Sequence, residues 1–82
     1  MPVFLGVHKL PPDMTEQEIE EGWAKYKESA NSKGLTTISA VYNRDKGFAY
    51  CQTEAESADA VRQAHEEVEI PLEDVVEVKA ID

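Results

Sequence analysis

Hydrophobic and polar residues alternate along the middle of the chain. Ile38, Ala40 and Tyr42 are separated by single residues, which is the two-residue period of a half-buried strand. A polar stretch that ends in a glycine, 43–47, has the composition of a tight turn. The aromatic run that follows, 48–53, favours β-structure. The pattern therefore predicts a β-hairpin within the sheet of this protein.

Apolar residues recur with the three- to four-residue period of a helix in two other stretches. The first stretch begins with a capping-box pattern and ends before Lys33 and Gly34, so it predicts a helix over about 16–32. The second follows a possible capping box at 53–56 and carries His65 on its apolar stripe. The two stripes consist of Ile19, Trp23, Tyr26 and Ala30, and of Ala58, Val61, His65 and Val68.

Short apolar runs at 3–8 and 75–80 predict the first and last strands. Both rows of the first strand are largely apolar, so we expect it at the centre of the sheet, whereas Glu77 and Lys79 are typical of an edge strand. The order β-α-β-β-α-β with right-handed crossovers predicts an α+β, ferredoxin-like sandwich, in which a four-stranded antiparallel sheet carries both helices on one face. The other sheet face also has apolar rows, and we expect a partner to cover it.

Length and charge narrow the class of protein. The chain has 82 residues, which predicts a single domain over 1–82 with a thin core. Its net charge of −9 repels phosphate backbones and anionic membranes and attracts cations. A single cysteine excludes an internal disulfide and favours a reducing compartment. The N-terminus lacks the features of a signal peptide, and no apolar run approaches the roughly 18 residues of a membrane span, so we expect a cytoplasmic location.

The segment 46–53 resembles the basic-glycine-aromatic signature of RNA-recognition motif domains, and 3–6 is similar to the matching element of their first strand. This resemblance implies that Phe4, Phe48 and Tyr50 stack on bases across the open sheet. The chain has 8 lysine and arginine residues against 17 carboxylates, which opposes contact with phosphates. We therefore favour packing of these aromatic residues against another subunit over RNA binding.

Several motifs follow one another along nearly the whole chain: Val7-His8-Lys9, Trp23, Ala49-Tyr50-Cys51, Thr53-Glu54-Ala55, the run 57–67 and the run 71–78. In this order and spacing they resemble a family of short prokaryotic proteins of unknown function, one branch of which is described as nickel-binding. The resemblance implies a ferredoxin-like homodimer, with sheets that meet across their open faces and a bound divalent metal. It draws the ligands from His8, Cys51 and His65.

The same three residues attract attention on chemical grounds, because the chain has only two histidines and one cysteine. We expect the first and third strands to be adjacent and parallel, with His8 and Cys51 near their C-terminal ends and His65 level with Cys51. Strand alternation nevertheless places His8 on the open face with Phe4, while Cys51 faces the helices. The three residues share one site only if His8 turns inward. Nickel follows from the resemblance, and zinc suits the same residues.

Two other interpretations remain open for these residues. A buried cysteine in a strand and a histidine on an apolar helical stripe are common core residues. Alternatively, Trp23, Tyr26, His8 and His65 line a pocket of a small-molecule-binding module or a cofactor-light enzyme, in which His65 activates the thiol of Cys51. The sequence offers no third orienting residue and no glycine-rich phosphate loop for such an enzyme.

Overall fold

Six elements in the predicted order, β-α-β-β-α-β, make up this computed structural model, which describes residues 1–81. The α+β, ferredoxin-like class and the position of the first helix are confirmed. The elements are β1 (Val3–Lys9), α1 (Glu16–Ser32), β2 (Thr36–Asn43), β3 (Phe48–Glu54), α2 (Ala58–Glu67) and β4 (Asp74–Val78).

The four strands form one antiparallel sheet in the order β2-β3-β1-β4, with β1 central and β4 at an edge as predicted. The expectation that the first and third strands are parallel is wrong. Gly6 lies opposite Cys51, and His8 opposite Ala49, in an antiparallel ladder. The reason is topological: the crossover through α1 joins β1 to β2, and β3 lies between these two parallel strands and runs against both.

The face on which His8 lies also differs from the prediction. Phe4 pairs with Thr53, and His8 with Ala49, so both share the face of Cys51 that is turned toward the helices. Phe4 is accordingly only 7% exposed. Both rows of β1 are apolar, and alternation alone therefore does not decide which row enters the core. His8 therefore reaches Cys51 without leaving the regular strand, and a shared site needs no inward turn of His8.

The helix caps confirm one prediction and overturn another. Thr15 and Glu18 form the predicted capping box of α1: the Thr15 hydroxyl accepts the Glu18 N–H at 3.1 Å, and the Glu18 carboxylate accepts the Thr15 N–H at 3.0 Å. The second predicted box, at 53–56, is wrong, because Thr53 lies within β3 and is fully buried. Ser57 caps α2 instead, and its hydroxyl accepts a backbone N–H three residues on.

The core lies between the sheet and the helices. Hydrogen bonds tie the two helices together: the Ser29 hydroxyl donates to the Ala64 carbonyl at 2.9 Å, and Lys33 pairs with Glu67 at 2.6 Å. Neither helix of the described part of the chain has the length and hydropathy needed to cross a membrane. The buried apolar residues are Phe4, Tyr26, Ala30, Leu35, Cys51, Ala55, Val61, Ala64 and Val75.

The opposite side of the sheet, here called the open face, carries apolar side chains without a covering layer. Val41 is 60% exposed and Val76 is 40% exposed. The Phe48 and Tyr50 rings lie together on this face with centroids 5.1 Å apart. Phe4 does not join them, so the three aromatic residues of the RNA-binding interpretation do not form one platform. The apolar members of the open face, by strand register, are Val3, Leu5, Val7, Val41, Phe48, Tyr50, Val76 and Val78.

Candidate metal centre

His8 of β1, Cys51 of β3 and His65 of α2 converge on one point at the sheet–helix boundary. The Cys51 Sγ lies 3.4 Å from the His8 Nε2 and 3.5 Å from the His65 Nε2. The three possible ligand atoms lie within 4.8 Å of one another. Cys51 and His65 are buried, whereas His8 is partly buried. We refer to these residues as the His-Cys-His cluster; it is the one grouping of this kind within residues 1–81.

Gly6 makes room for the thiol. A Cβ atom at this position would lie 2.6 Å from the Cys51 Sγ, closer than such atoms approach in proteins, and 3.2 Å from the Leu72 side chain, which is a tight contact. Gly6 is the direct partner of Cys51 in the β1–β3 ladder, so a side chain at position 6 would occupy the space that the thiol takes. The sequence analysis did not identify Gly6. The available signal was a glycine inside a central strand, which often marks a close approach.

Backbone carbonyls fix the proton positions of both imidazoles. The His8 Nδ1 lies 3.0 Å from the Pro71 carbonyl oxygen, and the His65 Nδ1 lies 2.8 Å from the Val61 carbonyl oxygen. Because a carbonyl oxygen only accepts, each Nδ1 carries the proton and donates it. Each Nε2 is then left with a lone pair directed at the thiol. Metal-binding histidines in proteins are oriented by the same kind of second hydrogen bond.

Burial keeps the cluster neutral near pH 7. Desolvation lowers the pKa of His8, and it lowers the pKa of His65 from 6.5 to about 4. Desolvation also raises the pKa of the Cys51 thiol to about 11. Each effect has the same cause, which is that a charged form loses its hydration in the protein interior. Two neutral imidazoles and a protonated thiol are the resulting state of the metal-free protein.

Proton counting shows what this neutral cluster lacks. The thiol of Cys51 has one hydrogen, which it donates to one Nε2 at a time. The second Nε2 lone pair then faces the sulfur lone pairs with no hydrogen between them. A cation placed among the three atoms would accept all of these lone pairs at once. The cluster thus has the electrostatic character of a cation site.

The spacing of the donor atoms suits a first-row transition metal. Bonds of about 2.1 Å to nitrogen and 2.3 Å to sulfur that meet at a tetrahedral angle hold their donor atoms about 3.6 Å apart. The two nitrogen–sulfur distances in the cluster, 3.4 Å and 3.5 Å, are close to this value. Imidazole and thiolate are also the donor types that nickel, copper and zinc accept. The nitrogen–sulfur spacing therefore suits a tetrahedral ion such as zinc, and the donor types suit nickel as well.

Tyr26 of α1 supports the cluster from the helix side. Its ring stacks on the imidazole of His65, with centroids 3.8 Å apart and an angle of 24° between the planes. Its hydroxyl is hydrogen-bonded to the Thr53 hydroxyl at 2.5 Å, and burial raises the pKa of Tyr26 to about 12. Tyr26 therefore remains a phenol and acts as packing that holds the His65 ring in place. Tyr26 lies on the apolar stripe from which α1 was predicted, and its side chain is buried in the core.

A cavity of about 350 Å³ opens beside the cluster. The four residues that the sequence analysis assigned to a pocket, Trp23, Tyr26, His8 and His65, all line it. The activated-thiol interpretation gains no support from the electrostatics, because a nucleophilic cysteine needs a lowered pKa and that of Cys51 is raised. The three residues of the cluster also line this cavity.

Comparison with known proteins identifies the family of this chain. A family model described as nickel responsive protein SCO4226-like matches residues 4–78. The chain belongs to this SCO4226-like family. The predicted membership in a nickel-associated ferredoxin-like family is thereby confirmed. None of the curated proteins is similar enough in sequence to match the chain.

Among solved structures, the chain resembles the crystal structure of SCO4226 from Streptomyces coelicolor A3(2). The two share 21% sequence identity with a TM-score of 0.87, and the match covers 98% of this chain and 99% of that one. At this level of identity the similarity shows a common fold. The choice of His8, Cys51 and His65 as ligands stays a prediction that rests on the cluster itself.

Proposed function

We propose that this member of the SCO4226-like family binds one divalent transition-metal ion, nickel, through the His8 Nε2, the Cys51 Sγ and the His65 Nε2. The observation that carries the proposal is the convergence of two fixed Nε2 lone pairs on a buried thiol that has one hydrogen to offer. The nickel-responsive description of the family supports the choice of metal. The biological role would be buffering, storage or sensing of nickel in a reducing cytoplasm.

Loading of the site has a defined proton balance. The thiol of Cys51 gives up its proton and becomes the thiolate ligand, since a coordinating thiol is deprotonated. The imidazoles release none, because both are already neutral. The bound ion supplies the positive charge that the cluster lacks, and the net charge of −9 favours its approach from solution. Zinc meets the same donor set, so the preference for nickel is the finer part of the proposal.

Calorimetric titration of the metal-free protein with nickel and zinc tests the function. We expect one ion per chain at micromolar or tighter affinity, with release of about one proton, measured by comparing buffers of different ionisation enthalpy. Replacing a ligand should weaken binding roughly a hundredfold or more in Cys51→Ser and His65→Ala. Glu28→Gln, on the exposed surface of α1 and outside the cavity lining, is the matched control and should bind as the wild type does.

Other results would contradict parts of this proposal. Weak, unsaturating heats that are the same in the wild type and both ligand variants would mean that cations bind only the acidic surface. Tighter binding of zinc than of nickel would keep the site and overturn the choice of metal. Full binding in Cys51→Ser would exclude the thiolate as a ligand.

We also propose that the protein forms a homodimer through the open face. The helices cover one side of the sheet, and Val41 and Val76 on the other side remain 60% and 40% exposed. Sedimentation equilibrium should give twice the chain mass of 9.2 kDa. Val41→Glu should shift the population to monomer, because a charge at this interface loses its hydration. Ala24→Glu, on the exposed surface of α1, is the control, and a wild-type monomer would contradict the proposal.

A further inference from the structure

The cavity beside the His-Cys-His cluster is larger than a metal ion and its bound water require. Its volume of about 350 Å³ lies within the range of about 300–1,000 Å³ typical of small-molecule sites. All three residues of the cluster line it, so an ion held among them would lie beside the cavity. Three protein ligands leave a four-coordinate metal one open position, and open positions of this kind bind exogenous ligands.

Gly22 keeps the cavity open. It lies in the middle of α1 and lines the cavity, and a Cβ at this position would meet nothing closer than the Ile70 side chain at 3.9 Å. Neither close packing nor a left-handed backbone therefore requires glycine here, since the residues with positive φ lie elsewhere in the described chain. A glycine inside a helix costs about 1 kcal/mol relative to alanine. The helix nevertheless has a glycine here, at a position where a larger side chain would fill the space beside the cluster.

The residues that line the cavity indicate the chemistry of its occupant. Aromatic and aliphatic side chains make up most of the lining, with Trp23 and Tyr26 on one side and Ile70 on another. Three carboxylates and one amine also line the cavity, which disfavours an anionic occupant. An apolar molecule with a neutral donor atom is compatible with both features. The principal lining residues outside the cluster are Leu10, Met14, Ile19, Trp23, Tyr26 and Ile70, and the charged ones are Glu18, Glu20, Glu69 and Lys9.

We propose that the cavity binds a small organic molecule with an apolar ring body and a neutral nitrogen donor, which occupies the fourth position on the metal. This inference rests on the proposed function, because it requires an ion in the cluster. It extends that function from binding of a bare ion to recognition of an ion together with an organic ligand. The ring body packs between α1 and the loop that contains Ile70, and the donor atom faces the cluster.

The probes that test this inference are phenylimidazole, imidazole and benzoate, each titrated into the nickel-loaded protein and into the metal-free protein. We expect phenylimidazole to bind the loaded protein roughly tenfold or more tightly than imidazole, because its phenyl ring gains apolar burial. Its binding should change the visible absorption spectrum of the bound nickel. Benzoate, which has a similar ring and an anionic donor, should bind more weakly than phenylimidazole.

Two substitutions of Gly22 separate the cavity from the metal site. Gly22→Leu should weaken phenylimidazole binding roughly tenfold or more by filling the cavity. Gly22→Ala, which adds a single methyl group, is the matched control and should retain most of this binding. Both variants should bind nickel as tightly as the wild type, and both should fold, since alanine and leucine stabilise a helix relative to glycine.

Each alternative outcome is decisive. Normal nickel binding without a preference for phenylimidazole, or with no effect of Gly22→Leu, would overturn this inference alone. Equal binding of phenylimidazole to the metal-free protein, with an unchanged nickel spectrum, would overturn the role of the metal. Tighter binding of benzoate would overturn the neutral donor. Failure of nickel itself to bind, detected before any probe is added, would overturn the proposed function and this inference together.

Discussion

The metal-free protein is expected to lose about 3 kcal/mol of its free energy of unfolding as the pH falls from about 7 to about 4 through His65 alone. The pKa of His65 is lowered from 6.5 to about 4 in the folded state, mainly by burial. One pH unit of difference corresponds to about 1.4 kcal/mol. Urea unfolding in the presence of a chelator, at a fixed protein concentration and a series of pH values, measures the effect. About 2 kcal/mol should be lost by pH 5, before most carboxylates titrate.

The sign follows from proton binding in the two states. Between the two pKa values the unfolded chain holds a proton on His65 and the folded chain does not, so acid favours unfolding. The stabilising contribution is complete above about pH 6.5 and disappears as the pH falls through the folded value. The groups that face His65 are His8, Cys51 and Tyr26. The lowered pKa of His8 adds to the loss in the same direction.

The pH dependence of the free energy of unfolding, compared between the wild type and His65→Leu, tests whether His65 causes the loss. His65→Leu should be less stable at pH 7, because it loses the hydrogen bond to Val61, yet its stability should change much less between pH 7 and pH 5. Hydrogen bonds to Thr15 lower the pKa of Glu18. Glu18 is present in both the wild type and His65→Leu, so its contribution cancels in the comparison. An equal slope in the wild type and in His65→Leu would contradict the assignment of this pH dependence to His65.

The predictions that succeeded depended on local periodicity. The apolar stripe and the capping box of α1 gave its bounds, 16–32, because helix formation follows from neighbours within a few residues. The cap of α2 was misplaced because Thr53 has the right spacing to a glutamate but is held in β3 by strand pairing. Tertiary structure overrode a valid local signal at that position.

The faces of β1 depended on interactions that no local pattern contains. Its two rows of side chains, one with Phe4 and one with Leu5, are both apolar. The two-residue period therefore predicts a strand but does not indicate which row faces the core. The pairing with β3 sets the direction, and it turns Phe4 and His8 toward the helices. The sequence-based argument placed the three candidate ligands near one another by way of an incorrect strand orientation. A shared site for the three residues was predicted only on the condition that His8 turns inward, and the pairing of β1 with β3 brings them together without such a turn.

The chemistry of the cluster was only partly accessible from residue types. The rarity of histidine and cysteine in the chain identified His8, Cys51 and His65. The tautomers depend on the carbonyls of Val61 and Pro71, which lie one turn away in α2 and in a distant loop. Such partners are fixed by the folded backbone and carry no sequence signature. Gly6 is different, because a glycine inside a central strand is a sequence signal that often marks a close approach.

Alanine at two glycine positions is expected to change stability in opposite directions, although the chemical change is the same. Gly6→Ala should lower the free energy of unfolding by about 2 kcal/mol, because the new methyl group would lie 2.6 Å from the Cys51 Sγ and the core must shift to admit it. Gly22→Ala should raise it by up to about 1 kcal/mol, because the methyl group meets only the Ile70 side chain, at an ordinary contact distance of 3.9 Å, and the helix gains intrinsic stability. Urea unfolding of the two metal-free variants beside the wild type measures the difference, which should be between about 2 and about 3 kcal/mol.

The same two variants also test whether the close approach of Gly6 to Cys51 is needed for nickel binding. Gly6→Ala displaces the thiol and should therefore weaken nickel binding roughly tenfold or more, which corresponds to about 1.4 kcal/mol or more. Gly22→Ala leaves the three donor atoms in place and should bind nickel as the wild type does. Unchanged stability and unchanged nickel affinity in Gly6→Ala would show that the β1–β3 pair has room for a side chain at this position. The close approach of Gly6 to Cys51 would then not be what positions the sulfur, and the strand pairing alone would account for the cluster.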